Sequence, residues 1–168
     1  DAMGGENTPS KNIEGVFMYL KKNNKKNDVF FNLYGDKQLI EKELDKYNIS
    51  NKLYKIFSSS TVVSDEETPL TAIKNSKDSS MWNSINSQMI SNSNITLSAG
   101  NTGVLFVVSR MLLKTIETVS KPALAGLWPN EKNMNVVLDL GANVECDDKN
   151  LIDFSEMGAA LYKALFPE

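Results

Sequence analysis

Residues 95–111, ITLSAGNTGVLFVVSRM, carry the most suggestive chemistry in the chain. A short β-branched run at 95–97 stops at Ser98-Ala99-Gly100-Asn101-Thr102-Gly103 and gives way to a long apolar segment, 104–113. The pattern reads as strand, tight small-residue loop, then helix. Glycines let a ligand approach the backbone closely, and the unpaired N–H groups of a helix's first turn favour negative charge. An anion is therefore the natural guest. The spacing matches neither the dinucleotide fingerprint nor the nucleotide-hydrolase phosphate loop, and an ordinary strand-to-helix turn has the same composition. Two further loops, 1–5 and 139–143, also carry glycine beside small polar or acidic residues. If all three face one crevice, they bring backbone donors, the amides of Asn101 and Asn143, and the carboxylates of Asp1 and Asp139. Lys74 and Lys77, ahead of Asp78-Ser79-Ser80, add positive charge, although solvated helix-end lysines leave the same signature.

Composition excludes several chemistries. The 168 residues contain no histidine, which rules out Ser-His-Asp and Cys-His catalysis and any histidine metal site within this stretch. Cys146 is the only cysteine, so no internal disulfide forms, consistent with a reducing, cytoplasmic setting. The net charge of -3 is small and does not call for nucleic acid as a partner. No apolar run reaches membrane-spanning length.

Several elements must position these loops. Pro9 suits a helix's first turn, with Ile13, Val16, Phe17 and Leu20 on one face. Residues 21–27 read as a basic turn, and 28–34 (DVFFNLY) as a buried strand ended by Gly35. Asp36 can cap a helix over 37–47, with Leu39, Ile40, Leu44 and Tyr47 facing inward. A strand is expected at 53–57, a short helix at 70–75 behind Thr68-Pro69, and another at 81–90 presenting Met81, Trp82, Ile85 and Met89. Short apolar runs at 122–127 and 136–140 read as strands. Residues 151–166 read as a helix with Leu151, Phe154, Met157, Leu161 and Leu165 on its apolar face. Strands alternate with helices almost throughout, so the expected class is α/β with a largely parallel sheet, whose ligands bind at the strands' carboxyl ends.

Asp1-Ala2-Met3-Gly4-Gly5, Gly35-Asp36, Lys77-Asp78-Ser79-Ser80-Met81, Ser98-Ala99-Gly100-Asn101-Thr102-Gly103 and Asp139-Leu140-Gly141-Ala142-Asn143-Val144 occur in one order. In that order the chain resembles the bacterial acyl-carrier-protein:phosphate acyltransferases, the PlsX family of phospholipid synthesis. The likeness runs nearly end to end, including Lys121-Pro122-Ala123-Leu124 and 154–158. It implies a three-layer α/β/α fold similar to isocitrate and isopropylmalate dehydrogenases and to phosphate acetyltransferase. It further implies a homodimer, peripheral contact with the membrane, and transfer of a fatty acyl group from acyl carrier protein to inorganic phosphate without a cofactor or metal. On this likeness, residues 1–168 are the N-terminal part of a single α/β acyltransferase domain, with a first strand ahead of Asp1 and a second half beyond Glu168. Ser76 and Trp82 stand where arginine is common in the family.

The implied reaction suits the residues present. Phosphate is already an anionic nucleophile, so no histidine base is needed, and the task is to hold it against the thioester carbonyl and stabilise the oxyanion. On this reading the residues expected to bind phosphate and substrate are Gly4, Gly5, Lys74, Lys77, Ser79, Ser98, Gly100, Thr102 and Gly103. Asn101, Asn143 and Asp139 form the catalytic set. The amides of Asn143, Gly4 and Gly5 suit the oxyanion, and Asp139 orients its neighbours. The rivals are a dehydrogenase or phosphotransacetylase-like enzyme of the same fold, and a non-catalytic phosphate- or acyl-binding module.

Overall fold

A computed structural model describes residues 1–23, 29–131 and 133–167. The elements are α1 (Ser10–Lys22), β1 (Phe31–Gly35), α2 (Lys37–Lys46), β2 (Tyr54–Ser58), α3 (Pro69–Asn75), α4 (Ser80–Met89), α5 (Thr102–Leu113), β3 (Gly126–Pro129), β4 (Met134–Val137) and α6 (Asp148–Leu165). The chain is a mixed α/β protein in two compact units, Asp1–Leu113 and Lys114–Glu168.

In the first unit β1 and β2 pair in parallel, Phe31 opposite Tyr54 through Gly35 opposite Ser58. A parallel pair needs a crossover, and α2 supplies it. Asp36 starts that helix as expected, its Oδ1 accepting from Leu39 N at 3.0 Å. Ile40 and Leu44 then fall four residues apart on one buried stripe with Ala2, Ile13 and Leu33. Leu39 lies off that stripe and is exposed, contrary to its expected inward position. A second cluster joins Val63, Met81, Ile85, Val104 and Val108, where α4 packs on α5. Serines make that contact close, because Ser80, Ser84 and Ser87 share the buried face of α4 with Met81 and Ile85. Met89, expected on the same face, is exposed.

The 95–97 run forms no strand. Ile95 and Leu97 are 74% and 73% exposed, so alternate side chains find no core to cover them. Its backbone is still tied at one point, since the Asp1 nitrogen donates to Leu97 O at 2.9 Å while Ala2 N donates to Tyr34 O at 2.9 Å. The expected 28–34 strand begins at Phe31; of the basic turn expected at 21–27, Lys21 and Lys22 are instead the last residues of α1, and 24–27, with Asp28, lie outside the described residues.

The second unit corrects the expectation of a largely parallel sheet there. β3 and β4 are antiparallel, Gly126 opposite Val137 and Pro129 opposite Met134. Asn130 N donates to Asn133 O at 2.8 Å and Asn133 N to Asn130 Oδ1 at 2.8 Å, and a connection that short permits only the antiparallel arrangement. Helix α6 starts three residues earlier than its apolar periodicity indicates, because Asp147 and Asn150 form a reciprocal capping box. Phe154 is its buried anchor, whereas Leu151 and Leu165 face outward. No helix among the described residues is long and apolar enough to cross a membrane.

Candidate functional site

Two of the three glycine loops meet. Asp1 joins them, its Oδ2 accepting from Ser98 Oγ at 2.7 Å and its Oδ1 from Met3 N at 3.1 Å. Ser98 Oγ in turn accepts from Gly100 N at 3.2 Å. The hydroxyl's single proton is thus committed to the carboxylate, and Ser98 acts as a bracket between the loops. The glycines permit an approach that no other residue allows. A Cβ on Gly4 would lie 2.5 Å from Asp1 Oδ2 and 2.8 Å from both Gly100 N and Ser98 Oγ. Gly5 has φ +95°, in the left-handed region, and a Cβ there would lie 2.9 Å from Ala99 O. The composition of these loops therefore serves loop-on-loop packing as well as any ligand.

Asn101 occupies the start of α5. Its Oδ1 accepts from Val104 N at 3.1 Å, while its Nδ2 donates to Asp65 O at 3.1 Å and Glu67 O at 2.9 Å. Both amide hydrogens are engaged, so in this arrangement Asn101 caps the helix and moors the 65–67 loop. Thr102 and Gly103, the next two residues, are exposed, and their N–H groups carry no hydrogen bond among the described residues. The same holds for the N–H groups of Gly4 and Gly5. Four backbone donors therefore have no partner among the described residues, two in the 1–5 loop and two in the first turn of α5.

The 77–81 segment contributes structure. Ser79 is 1% exposed and caps α4, its Oγ accepting from Trp82 N at 3.1 Å. Ser80 N donates to Thr61 O at 3.0 Å, which pins this turn beside residue 61. Lys74 and Lys77 are exposed and form no ion pair among the described residues.

Asp139 and Asn143 belong to the second unit, where they form their own network. Asp139 Oδ1 accepts from Leu124 N at 2.8 Å, and Oδ2 accepts from Asn143 N at 2.7 Å and Asn143 Nδ2 at 3.1 Å. Asn143 Nδ2 also donates to Pro122 O at 2.8 Å. Burial works against the charged carboxylate, but the donors from Leu124 and Asn143 outweigh it and hold the Asp139 pKa below its ordinary value. A group depressed in the folded state stabilises the fold above its unfolded pKa, near 4, and loses that contribution as pH falls through the folded value. Asp139→Asn is therefore expected to lower stability by about 1–3 kcal/mol at neutral pH, because an amide NH2 would face the Asn143 donors. Urea melts at successive pH values check this: the gap between variant and wild type should close as the medium becomes acidic below pH ~4.

Sequence reasoning missed two features of this region. Asn12, on α1, donates through Nδ2 to Ala2 O and Gly4 O, both at 2.9 Å, and Thr8 Oγ1 donates to Met3 O at 3.1 Å. The 65–67 carbonyls that receive Asn101 are equally invisible, since backbone acceptors leave no mark on residue type.

Comparison with known proteins gives the family. A family profile described as fatty acid synthesis protein matches residues 1–166. The phosphate acyltransferase of Pelagibacter ubique is 46% identical over 168 residues, covering 100% of this chain and 49% of its own length. Those of Rhodopseudomonas palustris strain TIE-1 and Agrobacterium fabrum are 38% and 36% identical over 167 residues, 99% of this chain and 46% of theirs. The chain thus spans about half the length of the curated relatives it matches. With the profile matched from the first residue to within two of the last, the chain belongs to the fatty acid synthesis protein family.

Proposed function

We propose that the whole protein is a phosphate acyltransferase, moving a fatty acyl group from acyl carrier protein to inorganic phosphate to give an acyl phosphate. The observation that carries this reading is the set of four unpartnered N–H groups, those of Gly4 and Gly5 in the loop that packs on 98–100 and those of Thr102 and Gly103 in the first turn of α5. Convergent backbone donors and the positive end of a helix dipole bind a phosphate without a histidine or a metal. The held phosphate oxygen attacks the thioester carbonyl carbon, the C–S bond breaks, and the carrier thiolate leaves. The name of the relatives, phosphate acyltransferase, supports the same reaction class.

Lys74 and Lys77 attract the anion from the surface, while Ser98, Gly100 and Ser79 hold the loops that present the donors. Asn101 and the Asp139–Asn143 network, read from sequence as catalytic, act here by fixing the helix start and the 139–143 loop. The parallel β1–β2 pair, and residues 1–2 bonded on one side to Tyr34 O and on the other to Leu97 O, support a larger parallel sheet of α/β/α type, with residues 1–168 one part of a single domain. Homodimer formation and peripheral membrane contact belong to the same proposal.

The test is incubation of the whole protein with an acyl-carrier thioester, with and without phosphate. Phosphate-dependent release of the carrier thiol supports the reading, and nicotinamide reduction or no turnover contradicts it. Cys146 is free and exposed just ahead of α6, a place that invites its assignment as an acyl-accepting nucleophile. Direct attack by phosphate makes such an intermediate unnecessary. Cys146→Ser is expected to keep most of the turnover, and a thioester-linked acyl group trapped on the wild-type cysteine would contradict that.

A further inference from the structure

We infer that Asn12 and Thr8 are positioning residues that aim the Gly4 and Gly5 N–H groups at the bound phosphate, an inference that rests on the reading of the site given above. Three successive carbonyls, those of Ala2, Met3 and Gly4, are each held by a side chain from just beyond the loop. Asn12 Nδ2 takes Ala2 O and Gly4 O at 2.9 Å, and Thr8 Oγ1 takes Met3 O at 3.1 Å. In a trans peptide the C=O and the following N–H point in opposite directions. Pinning these carbonyls therefore turns the N–H groups of Met3, Gly4 and Gly5 away from Asn12 and Thr8. The first of these is spent on Asp1 Oδ1 at 3.1 Å, and the other two have no partner among the described residues. Gly4 is buried, and an unpartnered N–H in such a place is costly unless a ligand answers it. Successive N–H groups turned to one side form an anion-binding concavity. Neither Asn12 nor Thr8 touches the anion. Together they set the direction of the groups that do, and Asn12, reaching two of the three carbonyls, holds most of that geometry.

The test is titration of 15N-glycine-labelled whole protein with inorganic phosphate, read at the Gly4, Gly5 and Gly103 amides, for wild type, Asn12→Leu, Thr8→Val and Thr8→Ser. Wild type should shift at all three glycines. Asn12→Leu should weaken phosphate binding by about tenfold or more and silence Gly4 and Gly5 while Gly103 still responds, as expected when oriented donors to a charged group are lost. Thr8→Val should weaken it by roughly threefold, and Thr8→Ser, which keeps the hydroxyl, should restore it, a rescue that bulk alone would not give. If Asn12→Leu does not fold, the Thr8→Val and Thr8→Ser pair decides. Unchanged phosphate binding in the variants would overturn the inference and leave the site reading intact, whereas silent Gly4 and Gly5 beside a responsive Gly103 in wild type would overturn the inference and confine the phosphate site to the start of α5. No response at any of the three glycines in wild type would overturn both.

Discussion

Gly4→Ala is expected to cost about 100-fold in phosphate-dependent turnover, the scale on which a displacement near 1 Å misaligns reacting groups. The added methyl would sit 2.5 Å from Asp1 Oδ2 and 2.8 Å from Gly100 N and Ser98 Oγ. Gly100 N is backbone and Asp1 and Ser98 bracket the two loops, so none of the three yields without separating them. Overpacking of this kind lowers stability by about 1–3 kcal/mol, which leaves the protein folded at room temperature. Gly100→Ala provides the comparison. Its Cβ would meet the methyl of the buried Met81 at 3.0 Å and Gly4 Cα at 3.2 Å, contacts less tight than those at Gly4. A weaker effect on the melt is expected there, with phosphate KM raised. Gly15, exposed on α1 with nothing within 4 Å of its missing Cβ, is the control: Gly15→Ala should raise stability by about 0.5–1 kcal/mol and leave kinetics unchanged. Thermal melts and steady-state kinetics on the three variants check the set.

Asn101→Ala is expected to lower stability by about 2–3 kcal/mol, combining loss of an N-cap with loss of two hydrogen bonds to backbone carbonyls. The side chain joins Val104 N to the carbonyls of Asp65 and Glu67, so removing it frees the first turn of α5 and the 65–67 loop together. Turnover should fall because the Thr102 and Gly103 donors lose their frame. Asn101→Asp separates the two functions. It keeps the capping oxygen but sets a carboxylate against two carbonyls, so the helix start is retained while the loop is released. If Asn101 instead donated to the oxyanion, Asn101→Ala would melt as wild type does and lose only kcat.

Much of the fold is legible in local pattern, and the reasons for success and failure are separable. The Asp36 cap, the Ile40–Leu44 stripe and the apolar run of α5 follow from spacing within one element, which sequence records directly. The antiparallel β3–β4 pair does not, because strand direction depends on the turn between them, and Asn130–Asn133 contains no glycine to announce it. The glycine loops were visible as loops, but not that 1–5 and 98–103 lie against each other. Residue type gives flexibility, not the partner that requires it. Asn101 and Asn143 illustrate the same limit: an amide can stabilise charge or hold a loop, and only the carbonyls of Asp65, Glu67 and Pro122 reveal the second use.

The central claim is that phosphate itself, held by backbone donors, attacks the thioester. A rapid-quench experiment on the whole protein with a labelled acyl-carrier thioester addresses it most directly, comparing samples with and without phosphate and trapping acyl phosphate with hydroxylamine. No burst of free carrier thiol and no labelled protein are expected when phosphate is omitted, and hydroxamate should form in step with thiol release when it is present. A stoichiometric thiol burst without phosphate, leaving the acyl label on the protein, would contradict it.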